Sequence, residues 1–443
     1  MTTITTKTVA QWQHEGALLV EDGNHGENRP RKDEFSDRGM AFIRAADMAD
    51  GTVLFAQAEK IDAVAQRRVR KGIGRPGDVI ISHKGTIGRV ARAPMDAPNF
   101  VCSPQTTFWR VVDSEKIDRD FLFALLRSPG FQGLFATRAG ETDMAGYVSL
   151  TSQRELELSL PPIAIQREVG RTVRLIDDKI ELNRKTAATL EEMARALYRS
   201  WFVDFDPVQA KAEGCAPAHM DPATAALFPD SFGDDGLPKG WKIRTVGELC
   251  VQTKRTVKPM DAPASSFWHF SLPAFDSGRV PLLEDGAQIK SNKLFVPNDA
   301  ILFSRLNPMI PRVWWARSDH GRGVPAASTE FFVANAATPE QTPWLYSLLS
   351  SEEFREQAVS RVTGTSNSHQ RLSASALAEI AVTAPPDELL AAFGTIAGSW
   401  FERVHALGSE SGILANLRDT LLPRLMSGEL RVGEALEQID EVA

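Results

Sequence analysis

The sequence predicts an α+β fold: two globular domains of mixed helix and strand, joined by a pair of long antiparallel coiled-coil-like helices, with an internal pseudo-twofold duplication. Three observations carry that expectation. The 443-residue chain exceeds ordinary single-domain size, so more than one core is expected. Segments of the first half recur in the second at separations near 221 to 225 residues, the signature of a duplicated unit. Each half also ends in a Pro-Pro pair followed by an apolar stripe at helical spacing.

The first domain is placed at residues 1–157. Around Pro76, RPGDVIISHKGTIGRV reads as a turn, an Asp, a β-rich apolar run and a basic loop. VCSPQTTFWRV, with Ser103, follows, and FLFALLRSPGFQ (121–132) reads as a short amphipathic helix. The second domain, 239–383, repeats these features: VPNDAILFSRLNPMIPRV around Pro297, AASTEFFV with Ser328, and WLYSLLSSEEFRE (344–356). LSLPP (158–162) and VTAPP (382–386) close the two copies.

A long helix is expected over 158–203. Its seam is Val173, Ile176, Ile180, Asn183, Ala187, Leu190, Ala194, Leu197 and Trp201, alternating three and four as a coiled coil does. At 1.5 Å per residue, residues 164–201 would span roughly 57 Å. Asn183 on the seam reads either as a register-fixing polar residue or as a tolerated edge residue. Shifting the seam by 224 gives Ala397, Trp400, Val404, Leu407, Ser411, Leu414, Arg418, Leu421 and Leu425, and places a second helix over 384–428. Gly408 and Gly412 are expected to weaken it locally. One apolar stripe on an isolated helix needs a partner, and the other copy, packed antiparallel, supplies it. Trp201 and Trp400 are read as buried in this seam. Between the copies, 204–238 reads as an irregular acidic connector, and 429–443 as an acidic tail.

Composition narrows the class. The 43% hydrophobic and 24% charged content is that of an ordinary globular protein, and no apolar run approaches the ~20 residues of a membrane helix. The start, MTTITTKTVAQWQ, has no apolar export core. Cys102, Cys215 and Cys250 are odd in number and lack Cys-x-x-Cys spacing, so neither disulfides nor zinc are expected and a reducing cytoplasm fits. The net charge of −7 argues mildly against nucleic acid. Its distribution argues the other way: residues 60–92 hold nine Lys/Arg against two acids, and 203–240 hold seven acids against two Lys.

At this level of detail a family resemblance emerges. LPPIAIQREVGRTVRLIDDKIELNRKTAATLEEMARALYRSWFVDFDPV (160–208) closely resembles the central conserved region of type I restriction–modification specificity subunits. LPKGWKIRTVGEL (237–249) resembles the start of their second target-recognition domain, and GDVIISHKGTIGRV (77–90) a recognition-domain strand and loop. NLRDTLLPRLMSGELRV (416–432) resembles their C-terminal conserved helix. The resemblance implies two target-recognition domains, each reading half of a bipartite double-stranded DNA site, and helices that space them and dock two methyltransferase subunits. It implies a non-catalytic chain that binds no cofactor itself. S-adenosylmethionine belongs on the methyltransferase subunits, and ATP-dependent restriction subunits are further candidate partners. The second helix departs from the pattern in its glycines and in PPDELLAAF, which lacks the usual Gln after the Pro-Pro entry.

Several apparent catalytic motifs fail on context. Gly72, Gly74 and Gly77 satisfy G-x-G-x-x-G, but Pro76 and a β-rich run follow where a helix is required. Asn307-Pro308 opens an aminomethyltransferase-like motif that continues with Met309 and Ile310 rather than an aromatic. Asp177, Asp178 and Lys179 mimic a nuclease Asp-x-Lys but lie on the long helix. The eight histidines show no metal-ligand spacing.

Base and phosphate readers need Arg, Lys, Asn or Gln at groove edges. Candidates in the first domain are Arg67, Arg70, Lys71, Lys84 and Arg89. In the second they are Lys254, Arg255, Arg305 and Arg312, with Asn367, His369, Gln370 and Arg371 from a polar segment that matches AGETDMAGYV (139–148). Each could equally be a solvated surface charge. Two rival functions stand beside this one: an assembly scaffold with degenerate recognition domains, and a stand-alone DNA-modifying enzyme, for which no cofactor loop, acid cluster or metal set is found.

Overall fold

The computed structural model describes residues 4–49, 51–140, 146–317, 321, 323–362, 370–427, 429–430 and 433–434. It divides into two units, residues 1–184 with 408–443, and residues 185–407.

The first unit holds a six-stranded and a five-stranded sheet. In the six-stranded sheet, Val79–Ser82 lies between Thr106–Val111 and Val90–Arg92, antiparallel to both. Leu18–Asp22 flanks Thr106–Val111. Val79–Ser82 is buried along its whole length, as a strand covered on both faces requires. The five-stranded sheet is built around Met40–Ile43 and Phe100–Cys102, which run parallel. A separate ladder pairs Thr5–Thr8 with Glu157–Leu160 and closes the unit at its base. Helices Arg119–Arg127 and Pro129–Gly140 cover the core.

The second unit repeats this plan. Ala300–Ser304 lies between Phe331–Ala336 and Val313–Ala316, antiparallel to both, and Cys250–Gln252 flanks Phe331–Ala336. Ser266–Phe270 and Val324–Ala327 are the parallel pair of its five-stranded sheet. Lys242–Thr245 and Ala381–Ala384 form the basal ladder. The copies differ at their edges: the first unit adds Phe35–Ser36 to its five-stranded sheet and Thr52–Val53 and Met48–Ala49 to its six-stranded one, whose counterpart has four strands, and the second adds Thr256–Val257.

Both long helices are present and uninterrupted, Ile163–Phe202 and Asp387–Ser427. Gly408 and Gly412 do not break the second. Both face outward with nothing within 4 Å of an added Cβ, so the local weakening expected from them leaves no interruption. None of the eighteen seam positions is exposed. In the first unit Val173 joins Leu421, Leu422 and Leu425 in one core cluster. In the second, Ala194, Tyr198, Trp201 and Phe202 join Leu389, Leu390, Phe393 and Ala397, with Leu197 and Trp400 at the margin. Ile180, Leu190 and Val404 are partly buried; Ile176, Leu407 and Leu414 are buried. Within the first unit, Asp177 meets Arg418 and Asn183 meets Ser411, so partner numbers fall as residue numbers rise and the helices there run antiparallel.

A glycine sits at the same relative place in each long helix. A Cβ on Gly170 would lie 2.6 Å from the Phe121 nitrogen, and one on Gly394 would lie 2.0 Å from the Glu340 carbonyl oxygen. These glycines let each helix close on its own unit. The acidic connector is less irregular than expected, with short helices at Asp206–Ala212 and Pro222–Ala226. Their Asp-Pro starts explain them: Asp221 caps the amides of Ala223 and Thr224, and Pro222 fits the first turn.

Candidate nucleic-acid interface

In each unit a loop leaves the central buried strand, crosses to a second segment, and is pinned there by backbone bonds. The Ser82 amide donates to the Arg89 carbonyl at 2.9 Å, and the Ser304 amide to the Arg312 carbonyl at 2.9 Å. The His83 amide donates to the Gln105 carbonyl at 2.9 Å, as that of Arg305 does to Glu330 at 2.8 Å. The Val148 amide donates to the His83 carbonyl at 2.9 Å, as Leu372 does to Arg305 at 2.9 Å. Gly85 donates to the Gly146 carbonyl at 3.4 Å, and Asn307 to that of Gln370 at 2.8 Å. The Ser103 and Ser328 hydroxyls each accept from the amide two residues on, at 3.3 Å. The loop is therefore built twice from the same bonds.

Its turn needs positive φ, 77° at Gly85 and 48° at Asn307. Asn tolerates that region better than most side chains. Asn307 is thus explained by backbone geometry, and the apparent methyltransferase motif there is a turn. Gly72 and Gly77 likewise occupy positive-φ turns, and no helix follows Gly77.

Around this loop the first unit gathers a mixed polar rim. Lys84 is exposed, with Nζ 5.6 Å from the Tyr147 ring centroid. His83 is fully buried, and its Nδ1 lies 3.0 Å from the Val148 carbonyl oxygen. Burial pushes its pKa down to about 4, so the ring is neutral at pH 7. Asp22, His25 and Lys84 are all close enough to act on it electrostatically. Asp22 in turn pairs with Lys71 at 2.7 Å and His25 at 3.1 Å. Its carboxyl is held below the ordinary value against the opposing effect of burial, by the Lys71 and His25 bonds. Asn24 Oδ1 accepts from the amides of Arg70 and Lys71 and fixes that turn.

The sequence candidates of this unit therefore divide. Lys71 and Lys84 come to the rim around His83. Arg67 and Arg70 are exposed on and just beyond the helix Ala63–Arg68, and their side chains make no ion pair with a described residue. Arg89 donates instead to the Ala45 carbonyl at 3.0 Å.

The second unit builds its rim differently. Arg371 pairs with Glu330 at 2.7 Å. Arg305 donates through Nη2 to the carbonyl of Thr329, next to Glu330. Burial lowers the Arg305 pKa, Arg371 adds to that, and Glu330 opposes it. Gln370 contributes the carbonyl that receives Asn307. Arg255 lies over the Phe295 ring at 4.3 Å. Lys254 lines an open depression with Gln252, Ser375 and Glu379. Arg312 is drawn away, held by Asp276 at 2.7 and 2.8 Å with a side chain only 14% exposed. Asn367 and His369 lie outside the described residues. Gln105, Tyr147 and Glu330 were not among the sequence candidates. The repeat separation aligns Gln105 with Glu330 and Tyr147 with Arg371, but only tertiary pairing shows that they reach the loop.

The apparent Asp-x-Lys set is absorbed by ion pairs. Asp177 takes Arg127 and Arg418, Asp178 takes Arg174, and Lys179 takes Glu410. Among the described residues no group of three or more His, Cys, Asp or Glu could hold a metal ion. No described helix is long and apolar enough to cross a membrane.

Comparison with known proteins agrees with the resemblance read from the sequence. A family model described as type I restriction modification DNA specificity domain matches residues 23–192. The chain is 26% identical over 476 residues to the type I restriction enzyme HindI specificity subunit of Haemophilus influenzae, covering 92% of this chain and 98% of that protein. It is 23% identical over 370 residues to the MjaIX specificity subunit of Methanocaldococcus jannaschii, covering 79% of each. In fold, it is similar to the crystal structure of a type I restriction–modification S subunit from M. genitalium, with a TM-score of 0.55, 15% identity and 96% of both chains covered.

Proposed function

We propose, for a chain similar almost end to end to type I restriction enzyme specificity subunits, that it is the non-catalytic DNA-specificity subunit of such a complex. Each unit binds one half of a bipartite double-stranded site. The paired helices set the spacer and dock two methyltransferase subunits, which hold S-adenosylmethionine and transfer its methyl group to adenine. ATP-dependent restriction subunits join the same assembly, and it works in the cytoplasm, where its DNA is. The observation that carries this reading is the twice-built loop: one backbone frame, two different sets of polar side chains. A duplicated reader of that kind matches a split site with different halves.

A scaffold with degenerate recognition domains fits less well, because both rims retain exposed cationic side chains, Lys84 in one and Arg371 in the other. The test is to co-express the chain with its methyltransferase partner and map methylated adenines across the host genome. A two-part motif with a fixed gap is expected, and none without this chain. Methylation by the purified chain alone with S-adenosylmethionine would overturn the reading in favour of an enzyme. Equal affinity of the complex for cognate and scrambled sites would favour the scaffold.

A further inference from the structure

We propose that Glu330 and Arg371 read a C·G base pair in the half-site bound by the second unit, and that Gln105 and Tyr147 hold the corresponding reading positions in the first. This deepens the specificity-subunit reading above and rests on it. The equivalence comes from the backbone. Gln105 and Glu330 each accept through their carbonyl from the residue that starts the loop, and each donates through its amide to a serine hydroxyl two residues back. Tyr147 and Arg371 each form the isolated bridge to that loop, with Lys84 and Leu306 respectively.

These bonds close the loop in both units without using the side chains of Gln105, Tyr147, Glu330 or Arg371. The side chains at the reading positions are therefore free to differ, and they do: Gln105 and Tyr147 in one unit, Glu330 and Arg371 in the other. Two units with one frame and different side chains at its rim are what two unlike half-sites require.

The chemistry of the second set selects a base pair. Glu330 Oε1 accepts from Arg371 at 2.7 Å, while its Oε2 is buried and has no hydrogen-bond partner among the described residues. Arg305, close enough to Glu330 to feel its charge, likewise has a buried Nε with no partner among the described residues. Buried polar atoms left unsatisfied are costly, so the Glu330 carboxylate gains by turning out to a ligand that donates to it. Cytosine N4 is such a donor, and the guanine opposite offers O6 and N7 to a guanidinium. A carboxylate at this point weakens phosphate attraction, so its presence argues for base reading over backbone binding.

The experiment is competition binding by the assembled complex, using its cognate duplex and duplexes changed one base pair at a time. Glu330→Gln keeps shape and removes the charged acceptor. The expected result is a loss of discrimination on the order of 10- to 100-fold at one C·G pair of one half-site, with other positions changed less than about 2-fold. Gln105→Ala should relax one position of the opposite half-site. An even loss of affinity at all positions, unchanged discrimination, or a second half-site without any C·G pair would overturn the proposal. If wild-type complex shows no sequence preference at all, the specificity-subunit reading itself falls, and that outcome is separately visible in the wild-type arm.

Discussion

Asp177 on the first long helix accepts from Arg418 on the second at 2.7 Å and from Arg127 of the same unit at 2.6 Å. Arg418 occupies a seam position where an apolar residue is the rule, and only 16% of its side chain is exposed. One carboxylate thus holds two arginines and ties the helix pair to the domain it serves. Removing one partner of a largely buried pair strands the other charge. Asp177→Ala is expected to cost on the order of 2–3 kcal/mol, allowing for the partial exposure that softens such losses. Asp178→Ala, whose side chain is 61% exposed, should change stability by less than ~0.5 kcal/mol. Urea midpoints of the two variants measure the difference; equal midpoints would remove Asp177 from this role.

The glycines of the second long helix should respond in opposite senses. Gly394→Ala sets a methyl 2.0 Å from a backbone oxygen and forces the helix outward, at a cost on the order of 3 kcal/mol. Gly408→Ala and Gly412→Ala meet nothing within 4 Å, and each should stabilise by about 0.5–1 kcal/mol. Thermal melts of the three variants check the signs.

Burial of His83 makes the first unit acid-sensitive. Its pKa falls from 6.5 to about 4 on folding, so between those values the unfolded chain binds more protons than the native one. Stability is therefore full above pH 6.5 and declines as pH falls toward 4. The loss reaches about 2 kcal/mol by pH 5. His83→Asn has no ring to protonate, and its decline in urea midpoint from pH 7 to pH 5 should be smaller by that amount. An identical decline in both proteins would show that the burial is relieved in solution.

The helix pair as spacer makes a geometric prediction. Seven residues inserted within 180–195, matched by seven within 404–419, lengthen the pair by about 10 Å, or three base pairs. Motif mapping should then return the same half-sites with a wider gap. An unchanged gap would refute the spacer role.

The sequence exposes the helices because a stripe alternating three and four is visible residue by residue, and the duplication because its segments keep their order. It hides what depends on distant pairing. Tyr198 and Phe202 pack beside Trp201 against Phe393, yet a one-residue-per-turn seam passes over them. Arg312 looks available until Asp276, 36 residues earlier, is seen to hold it. Gln105 and Glu330 carry no local signal, because the loop they support is assembled from segments more than twenty residues apart. The net charge misleads for a related reason: residues 203–240 hold seven acids against two Lys, while the acids of the rims, Asp22 and Glu330, are paired with cations.

In the proposed function each unit reads its own half-site. Both units close on the same basal ladder, Thr5 opposite Leu160 in one and Lys242 opposite Ala384 in the other, which gives matched splice points. A chain with residues 242–384 replaced by residues 5–160 carries the first reader twice. Mapped in the complex, its methylation motif should become an inverted repeat of the first half-site. A motif that keeps the original second half-site would contradict the account.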